Sequence, residues 1–354
     1  MKKVIRFLCF VIVLCVILTG SAFFFNHGDK YDVMHLNSFF SEPKNTLDVS
    51  IIGASEVFTA FNSTLAWKDY GFTSHSFCYN AMPCSNYKLA IDEILKHQNP
   101  KLIVIEFNGF LNNEEYITDI NKLHTILDNI PKDEIWVKYI KELVPKEKQA
   151  EFFCNFIKYH GNWKHIEDCM RCMKNKYKLF KNDVTYTKAF ITNNKTNKEK
   201  FRNLDPELCT MADKMLTDLL EHCKEVGLKN VLFVRLPHCV KNIKPEVYEN
   251  FRKRVEAYGY DFLNYENSFK EIGLDPVKDF YNNDHMNVFG MQKFTPFFAK
   301  YITEHYDVKT QHSQETIDLW NKCAEKMPKF IERCEKKSPP EKRDFFYEVD
   351  AYTA

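Results

Sequence analysis

The chain has 354 residues and a formal net charge of +1, and 15% of its residues are aromatic. This length fits one large α/β domain, or one domain with an inserted lobe, and the balanced charge gives no reason to expect a nucleic-acid partner. With 31 Phe and only 10 Gly, the composition predicts a sizeable core and a helix-rich fold.

The first residues carry a membrane signal. Three basic residues precede an uncharged run from Phe7 to Asn26, which is about the ~20 residues needed to cross a bilayer. Because the basic residues lie on the N-terminal side, the positive-inside rule keeps that end in the cytoplasm. We interpret residues 1–28 as an uncleaved anchor, with the bulk of the chain extracytoplasmic. A cleaved signal peptide, with Gly20-Ser21-Ala22 as its small-residue site, is the alternative.

Five short, mostly apolar runs follow the anchor, and each is typical of a buried strand. They cover residues 49–52, 75–79, 101–106, 230–235 and 261–265. Helical patterns lie between or after them, at about 63–70, 86–97, 206–226 and 246–258, with a last helix after Gly290. Strands that alternate with helices indicate a parallel sheet, so the predicted fold class is α/β.

Strand signals fade from residue 112 to about 204, where aromatic and charged residues alternate at helical spacing. We interpret this stretch as a helical lobe inserted into a domain that spans residues 29–307. Residues 308–354 form a charged tail with one amphipathic helix. Cys169 and Cys172 form a CxxC pair, but no second pair and no paired histidines stand at zinc-finger spacing, so neither a metal nor another cofactor is expected.

Polar residues stand at the ends of several predicted strands: Ser55, Asn80-Ala81, Asn108 and His285. In open α/β sheets, ligands bind beyond the carboxyl ends of the strands. Nucleophilic acyl transfer needs a hydroxyl, a base and donors for the oxyanion. Ser55 can supply the hydroxyl and His285 the base. The backbone N–H groups of Ser55 and Ala81 and the side-chain amide of Asn108 can supply the donors.

On these residues the chain resembles the SGNH (GDSL-like) hydrolase superfamily, over residues 48 to about 305. Gly53-Ala54-Ser55 matches the first block of the family, Ala81 stands at the glycine of the second, Asn108 is the retained asparagine of the third, and Asn282–His285 aligns with the Asp-x-x-His block. The resemblance implies a flavodoxin-like three-layer α/β/α fold around a central parallel sheet. An α/β-hydrolase is disfavoured, because Val57 stands where its elbow needs a glycine.

The nearest resemblance is to membrane-anchored bacterial members of teichoic-acid D-alanylation and polysaccharide O-acetylation systems. It implies a serine esterase or O-acyltransferase for a cell-envelope glycan or polymer, with Ser55, His285 and Asn282 as catalytic residues. A membrane-bound acyl donor protein is a further implied partner. The alternative is a non-catalytic SGNH-like surface module that binds glycan or a membrane partner.

Asn282 gives that alternative its weight, because the family has an aspartate there that orients the histidine and stabilises its cationic form. Asp279 or Asp284 are the alternatives for an orienting carboxylate. Three further residues are candidates for lining the cleft, namely His160, Trp163 and His238. A buried structural histidine is the alternative interpretation of His160, and an ordinary loop position is that of His238.

Overall fold

A computed structural model of the chain contains the predicted parallel sheet. The structure describes residues 1–26, 30–170, 172–173, 185–203, 208–241, 245–340 and 343–346. The strands are β1 (Val49–Gly53), β2 (Ser74–Cys78), β3 (Leu102–Glu106), β4 (Arg202–Asn203), β5 (Val231–Arg235), β6 (Val240–Lys241) and β7 (Asp261–Asn264). Five of them form one sheet in the order β2-β1-β3-β5-β7, while β4 and β6 form a separate parallel pair. The α/β class and the five predicted strands are therefore confirmed.

All neighbouring strands of the large sheet are parallel. Gly53 and Cys78, the last residues of β1 and β2, are register partners. Glu106, at the end of β3, pairs with Val234, next to the end of β5. The strands thus finish together, and the loops that follow them meet at one edge of the sheet, where ligands bind in open α/β folds.

Helices follow or separate the strands along most of the chain. Their bounds are α1 (Lys2–Phe25), α2 (Lys30–Phe40), α3 (Ser55–Ala60), α4 (Ser63–Tyr70), α5 (Tyr87–His97), α6 (Glu114–Ile117), α7 (Ile120–Leu127), α8 (Glu134–Leu143), α9 (Gln149–Phe153), α10 (Phe156–Tyr159), α11 (Thr210–Glu225), α12 (Pro245–Ala257), α13 (Phe269–Ile272), α14 (Val288–His305) and α15 (Gln314–Lys336). The short helix α3, which begins at Ser55, is absent from the sequence-based prediction.

The sheet is buried on both faces because successive side chains of a strand point to opposite sides. In β3, Ile103 and Ile105 belong to one apolar cluster, whereas Leu102 and Val104 belong to another. Helices α5, α11 and α12 contribute to the first cluster, and α4 and α14 contribute to the second. Burial on both faces explains why the strand sequences are nearly continuous apolar runs.

Helix α1 has 24 residues and is long and apolar enough to cross a membrane. Nearly all of it is exposed, whereas its last turn touches the lobe, where the Asn162 side-chain amide donates a hydrogen bond of 2.9 Å to the carbonyl oxygen of Phe25. A core helix of a soluble protein would be mostly buried. The exposed apolar surface is consistent with single-pass anchoring.

In the described residues of the inserted region, helix is found up to residue 173 and not from 185 to 203. Helices α6 to α10 lie within residues 112–160, but residues 185–203 contain no helix. The backbone of Ile191 instead bonds to Phe58, and Thr192 forms an antiparallel bridge with Phe346. This pairing joins residues far apart in sequence, so local periodicity could not reveal it. In the tail, α15 packs against α4 and α14 and buries Trp320.

Candidate active site at the carboxyl edge of the sheet

Ser55 lies where β1 gives way to α3, two residues after Gly53. A Cβ atom added to Gly53 would lie 2.5 Å from Cγ2 of Val57 and 2.8 Å from Cβ of Glu106. Glycine is therefore needed for the chain to turn this close to β3. Ser55 is 8% exposed and is the first residue of α3, so its backbone N–H belongs to the helix turn that has no intrahelical acceptor.

The hydroxyl of Ser55 contacts the imidazole of His285. Ser55 Oγ and His285 Nε2 are 2.6 Å apart, although the two residues are 230 positions apart in sequence. His285 lies in the loop between α13 and α14, and this loop is closed by an antiparallel bridge between Phe280 and Met286. The structure thus brings together the serine and the histidine that the sequence analysis paired as nucleophile and base.

Asn282 sets the tautomer of His285. Its side-chain oxygen accepts hydrogen bonds from the backbone N–H groups of Asp284, at 3.0 Å, and His285, at 2.9 Å. Only the amide oxygen can accept from these donors, so the assignment of that oxygen is fixed. The same oxygen lies 2.8 Å from His285 Nδ1. Nδ1 must therefore carry the proton, which leaves Nε2 as an acceptor for the Ser55 hydroxyl.

Neither alternative aspartate occupies the position beside Nδ1 of His285. Asp279 is 2% exposed, and its carboxylate accepts from Lys293 Nζ at 2.6 Å and from the backbone N–H of Asp275 at 2.7 Å. Asp284 joins this loop arrangement through its backbone N–H, which donates to Asn282. Of the three candidates, Asn282 is the residue that orients His285.

The loop after β2 carries a strained alanine at the position predicted to help bind an oxyanion. Ala81 has φ +57°, a left-handed conformation that favours glycine. The loop is held from two sides, since the Asn80 N–H donates to the carboxylate of Asp32 and the hydroxyl of Tyr116 donates to the carbonyl of Ala81 at 3.0 Å. Asp32 lies in α2, so this loop is tied to the helix that follows α1.

Asn108 is held on both sides of its side chain. Its Oδ1 accepts from an Nη atom of Arg235 at 2.8 Å, and its Nδ2 donates to Glu56. Its backbone N–H donates to Glu106 at 2.6 Å. One hydrogen of the Nδ2 group is therefore engaged by Glu56, the residue next to Ser55, and a second hydrogen remains on that nitrogen.

A buried charged network, which the sequence analysis did not identify, surrounds Asn108. Glu106 and Arg235 end adjacent strands and are 0% exposed, while Glu266 is 1% and Glu56 6% exposed. Arg235 donates through Nε to Glu266, and a second nitrogen lies 3.6 Å from Glu106. The sequence feature that points to this network is a charged residue at the end of each of two apolar strands. Their pairing depends on β3 and β5 being neighbours, which the sequence does not reveal.

Glu106 offers a test of this network through pH. Burial, and then the nearby carboxylate of Glu56, raise the pKa of Glu106 from its usual 4.5 to about 8. The folded chain then holds a proton that the unfolded chain has released, so stability falls as pH rises between these values, by at most about 1.4 kcal/mol per pH unit. The variant Glu106→Gln has no such titration and should lose less stability as the pH rises through this window, from 4.5 to about 8.

The measurement is denaturant unfolding of both proteins across this pH range. Other groups with raised pKa values, such as Glu93, titrate in both proteins and cancel in the difference. A stability difference that does not change with pH would show that Glu106 does not titrate in the folded chain.

The three candidate cleft residues do not join Ser55 and His285. Trp163 is 61% exposed, and it lies with His160 in the segment that contacts the end of α1. His160 is exposed as well, so it is not a buried structural histidine. His238 is 1% exposed and lies 3.4 Å from a guanidinium nitrogen of Arg235, so it belongs to the buried network rather than to an open rim.

No family model matches the chain, and no curated protein matches it with significance. Among the residues that the structure describes, no group of three or more His, Cys, Asp or Glu side chains could hold a metal ion. The function of the chain therefore has to be inferred from the geometry of the site itself.

Proposed function

We propose that the chain is an extracytoplasmic serine esterase or O-acyltransferase that acts on carboxylic esters of a cell-envelope glycan or polymer. The observation that carries this proposal is the 2.6 Å contact between Ser55 Oγ and His285 Nε2. The order of the five strands, 2-1-3-4-5 when the sheet is counted alone, is the flavodoxin-like order. It supports the SGNH-hydrolase fold that the motifs resemble.

In the proposed reaction, Ser55 Oγ attacks the carbonyl carbon of an ester while its proton passes to His285 Nε2. The bond to the alcohol oxygen then breaks, the alcohol leaves with that proton, and the acyl group stays on Ser55. Water or a glycan hydroxyl next attacks this acyl-enzyme, with His285 as base, and releases an acid or a new ester. Hydrolysis and transfer differ only in whether water or a glycan hydroxyl takes the acyl group from Ser55.

Asn282 and the oxyanion donors complete the proposed site. Asn282 keeps Nδ1 of His285 protonated, so Nε2 is ready to accept the proton of Ser55. The backbone N–H groups of Ser55 and Ala81 are the proposed donors to the oxyanion. Asn108 is the proposed side-chain donor, through the Nδ2 hydrogen that Glu56 does not take.

The localisation is part of the same proposal. With α1 as a membrane anchor and its basic end in the cytoplasm, residues from 30 onward lie outside it. Protease added to intact cells should therefore remove the domain, while a cytoplasmic marker protein stays intact. Protection of the domain in intact cells, lost only on lysis, would reject this orientation.

A second candidate function is a non-catalytic SGNH-like module that binds glycan or a membrane partner. Two observations favour it. The partner of His285 Nδ1 is the uncharged Asn282, which cannot stabilise an imidazolium by charge. The amide of Asn108 is also already bound to Glu56.

Hydrolysis of p-nitrophenyl acetate by the full chain in detergent separates the two functions. An esterase or acyltransferase should release p-nitrophenol faster than buffer alone, and the Ser55→Ala variant should fall to the buffer rate. A folded chain with the same rate as Ser55→Ala would favour the binding module.

A further inference from the structure

The lobe carries a cluster of exposed apolar side chains that the proposed site does not use. In the described residues that follow α1, eight large apolar side chains are exposed, and five of them lie between positions 153 and 170. We call these five the apolar rim: Phe153, Ile157, Trp163, Ile166 and Met170. Each is between 48% and 61% exposed. Their density in one short segment distinguishes them from single exposed side chains, which need no explanation.

The apolar rim lies beside the end of the membrane helix. Helix α1 contacts α10 and the 3-10 helix His160–His165, which belong to the same segment as the rim. Asn162, next to Trp163, donates to the carbonyl of Phe25, the last residue of α1. Phe153 also lines a cavity together with Leu18 and Phe23 of α1. The rim is therefore held at the height where α1 leaves the membrane.

The side chains between the rim residues fit the surface of a bilayer. Lys158 and Lys164 are exposed there, as are His160 and His165, while of the two acids Glu167 is exposed and Asp168 is half-buried. Lys164 Nζ lies 5.9 Å from the ring centre of Trp163. Tryptophan prefers the membrane–water interface, and lysine can reach lipid phosphates while its stem stays in apolar surroundings.

We propose that residues 153–170 dock on the bilayer that α1 enters, with the apolar rim among the upper acyl chains and the lysines at the phosphates. Amphipathic helices at a membrane surface lie in the plane of the interface, and they bind through burial of their apolar side chains and attraction to anionic lipid. The segment would fix the height and tilt of the domain above the membrane. This inference uses α1 as the membrane helix and is independent of the chemistry at Ser55.

The test is quenching of Trp163 fluorescence by lipid. The full chain is reconstituted in nanodiscs whose lipids carry bromine near the carbonyl end of the acyl chains, and in matched discs without bromine. The chain has four tryptophans. The variant Trp163→Phe therefore shows how much of the quenching comes from Trp163, and Trp67→Phe is the matched control. Trp67 lies in α4, which packs on α15. Its indole N–H donates a hydrogen bond to the side-chain oxygen of Asn321.

We expect brominated lipid to quench the unmodified chain, and Trp163→Phe to remove most of that quenching, whereas Trp67→Phe should keep it. Aqueous iodide should quench Trp163 poorly in the same discs. Equal lipid quenching in the unmodified chain and in Trp163→Phe would overturn the proposal. Strong quenching of Trp163 by iodide would overturn it too, because the rim would then face water. Protection of Trp163 from both quenchers would overturn it as well, because protein and not lipid would then cover the rim.

Discussion

Replacing Ser55 with alanine should abolish labelling of the chain by a fluorophosphonate probe and lower ester turnover by about 10³-fold or more. An activated serine oxygen attacks the phosphorus atom of the probe and displaces fluoride, so an unactivated hydroxyl is not labelled. Ser55 Oγ lies 2.6 Å from a histidine nitrogen whose tautomer makes it an acceptor. Alanine removes that oxygen and leaves the backbone of α3 unchanged. Labelling is measured by in-gel fluorescence of the purified full chain.

Ser63→Ala is the matched control for this experiment. Ser63 begins α4, is 1% exposed, and its hydroxyl has no hydrogen-bond partner in the described part of the chain. Labelling should persist in this variant, because its hydroxyl has no base beside it. If labelling instead survives in Ser55→Ala, another residue is the nucleophile and the proposed site is wrong.

The sheet could be predicted because its strands are short, apolar and separated by clear helix signals. Because both faces of the sheet are buried, the run Leu102–Ile105 contains no polar residue. Helix α4 was predicted at its observed bounds, since Asn62 caps its first turn and Gly71 ends it in a left-handed conformation. Residues 185–203 were not predictable in the same way, because Thr192 pairs with Phe346 from the far end of the chain.

The serine and histidine could be proposed from their places at strand ends, but their contact needed the fold. The sequence left Asn282, Asp279 and Asp284 as alternatives beside His285. The choice among them depends on a loop in which Asn282 accepts two backbone N–H groups and the Nδ1 proton. Such a loop is set by local turns that the residue types alone do not distinguish.

The buried network could not be predicted, because it depends on strand order. Glu106 and Arg235 are 129 positions apart in number and adjacent in the sheet. Glu266 approaches from the loop after β7 and binds Arg235, while Glu56 approaches from the first turn of α3, so four ionisable groups lie around Asn108 and the turn at Ser55. The motif predicts an oxyanion role for Asn108, and its contacts also place it at the centre of this network.

Asn282→Asp should raise the rate on a simple ester, and the structure limits the expected size of the gain. In a serine protease, the reverse change from aspartate to asparagine costs about 10⁴ in rate through the wrong histidine tautomer. Here that loss is already avoided, because two backbone N–H groups turn the oxygen of Asn282 toward Nδ1. The variant therefore adds only the negative charge that stabilises the imidazolium, for which we expect about 10- to 100-fold.

An aspartate oxygen can accept the same three hydrogen bonds as the oxygen of Asn282, so Asn282→Asp should fold normally. Its charge favours the protonated ring of His285, and protonation removes the base. The acid limb of the pH–rate profile should therefore move to higher pH while the plateau rises. Profiles for both proteins, with Asn283→Asp as a neighbouring charge control, measure the two effects. A folded Asn282→Asp variant with an unchanged plateau and an unchanged acid limb would show that Asn282 does not orient the catalytic histidine, and Asp279 or Asp284 would become the better candidate.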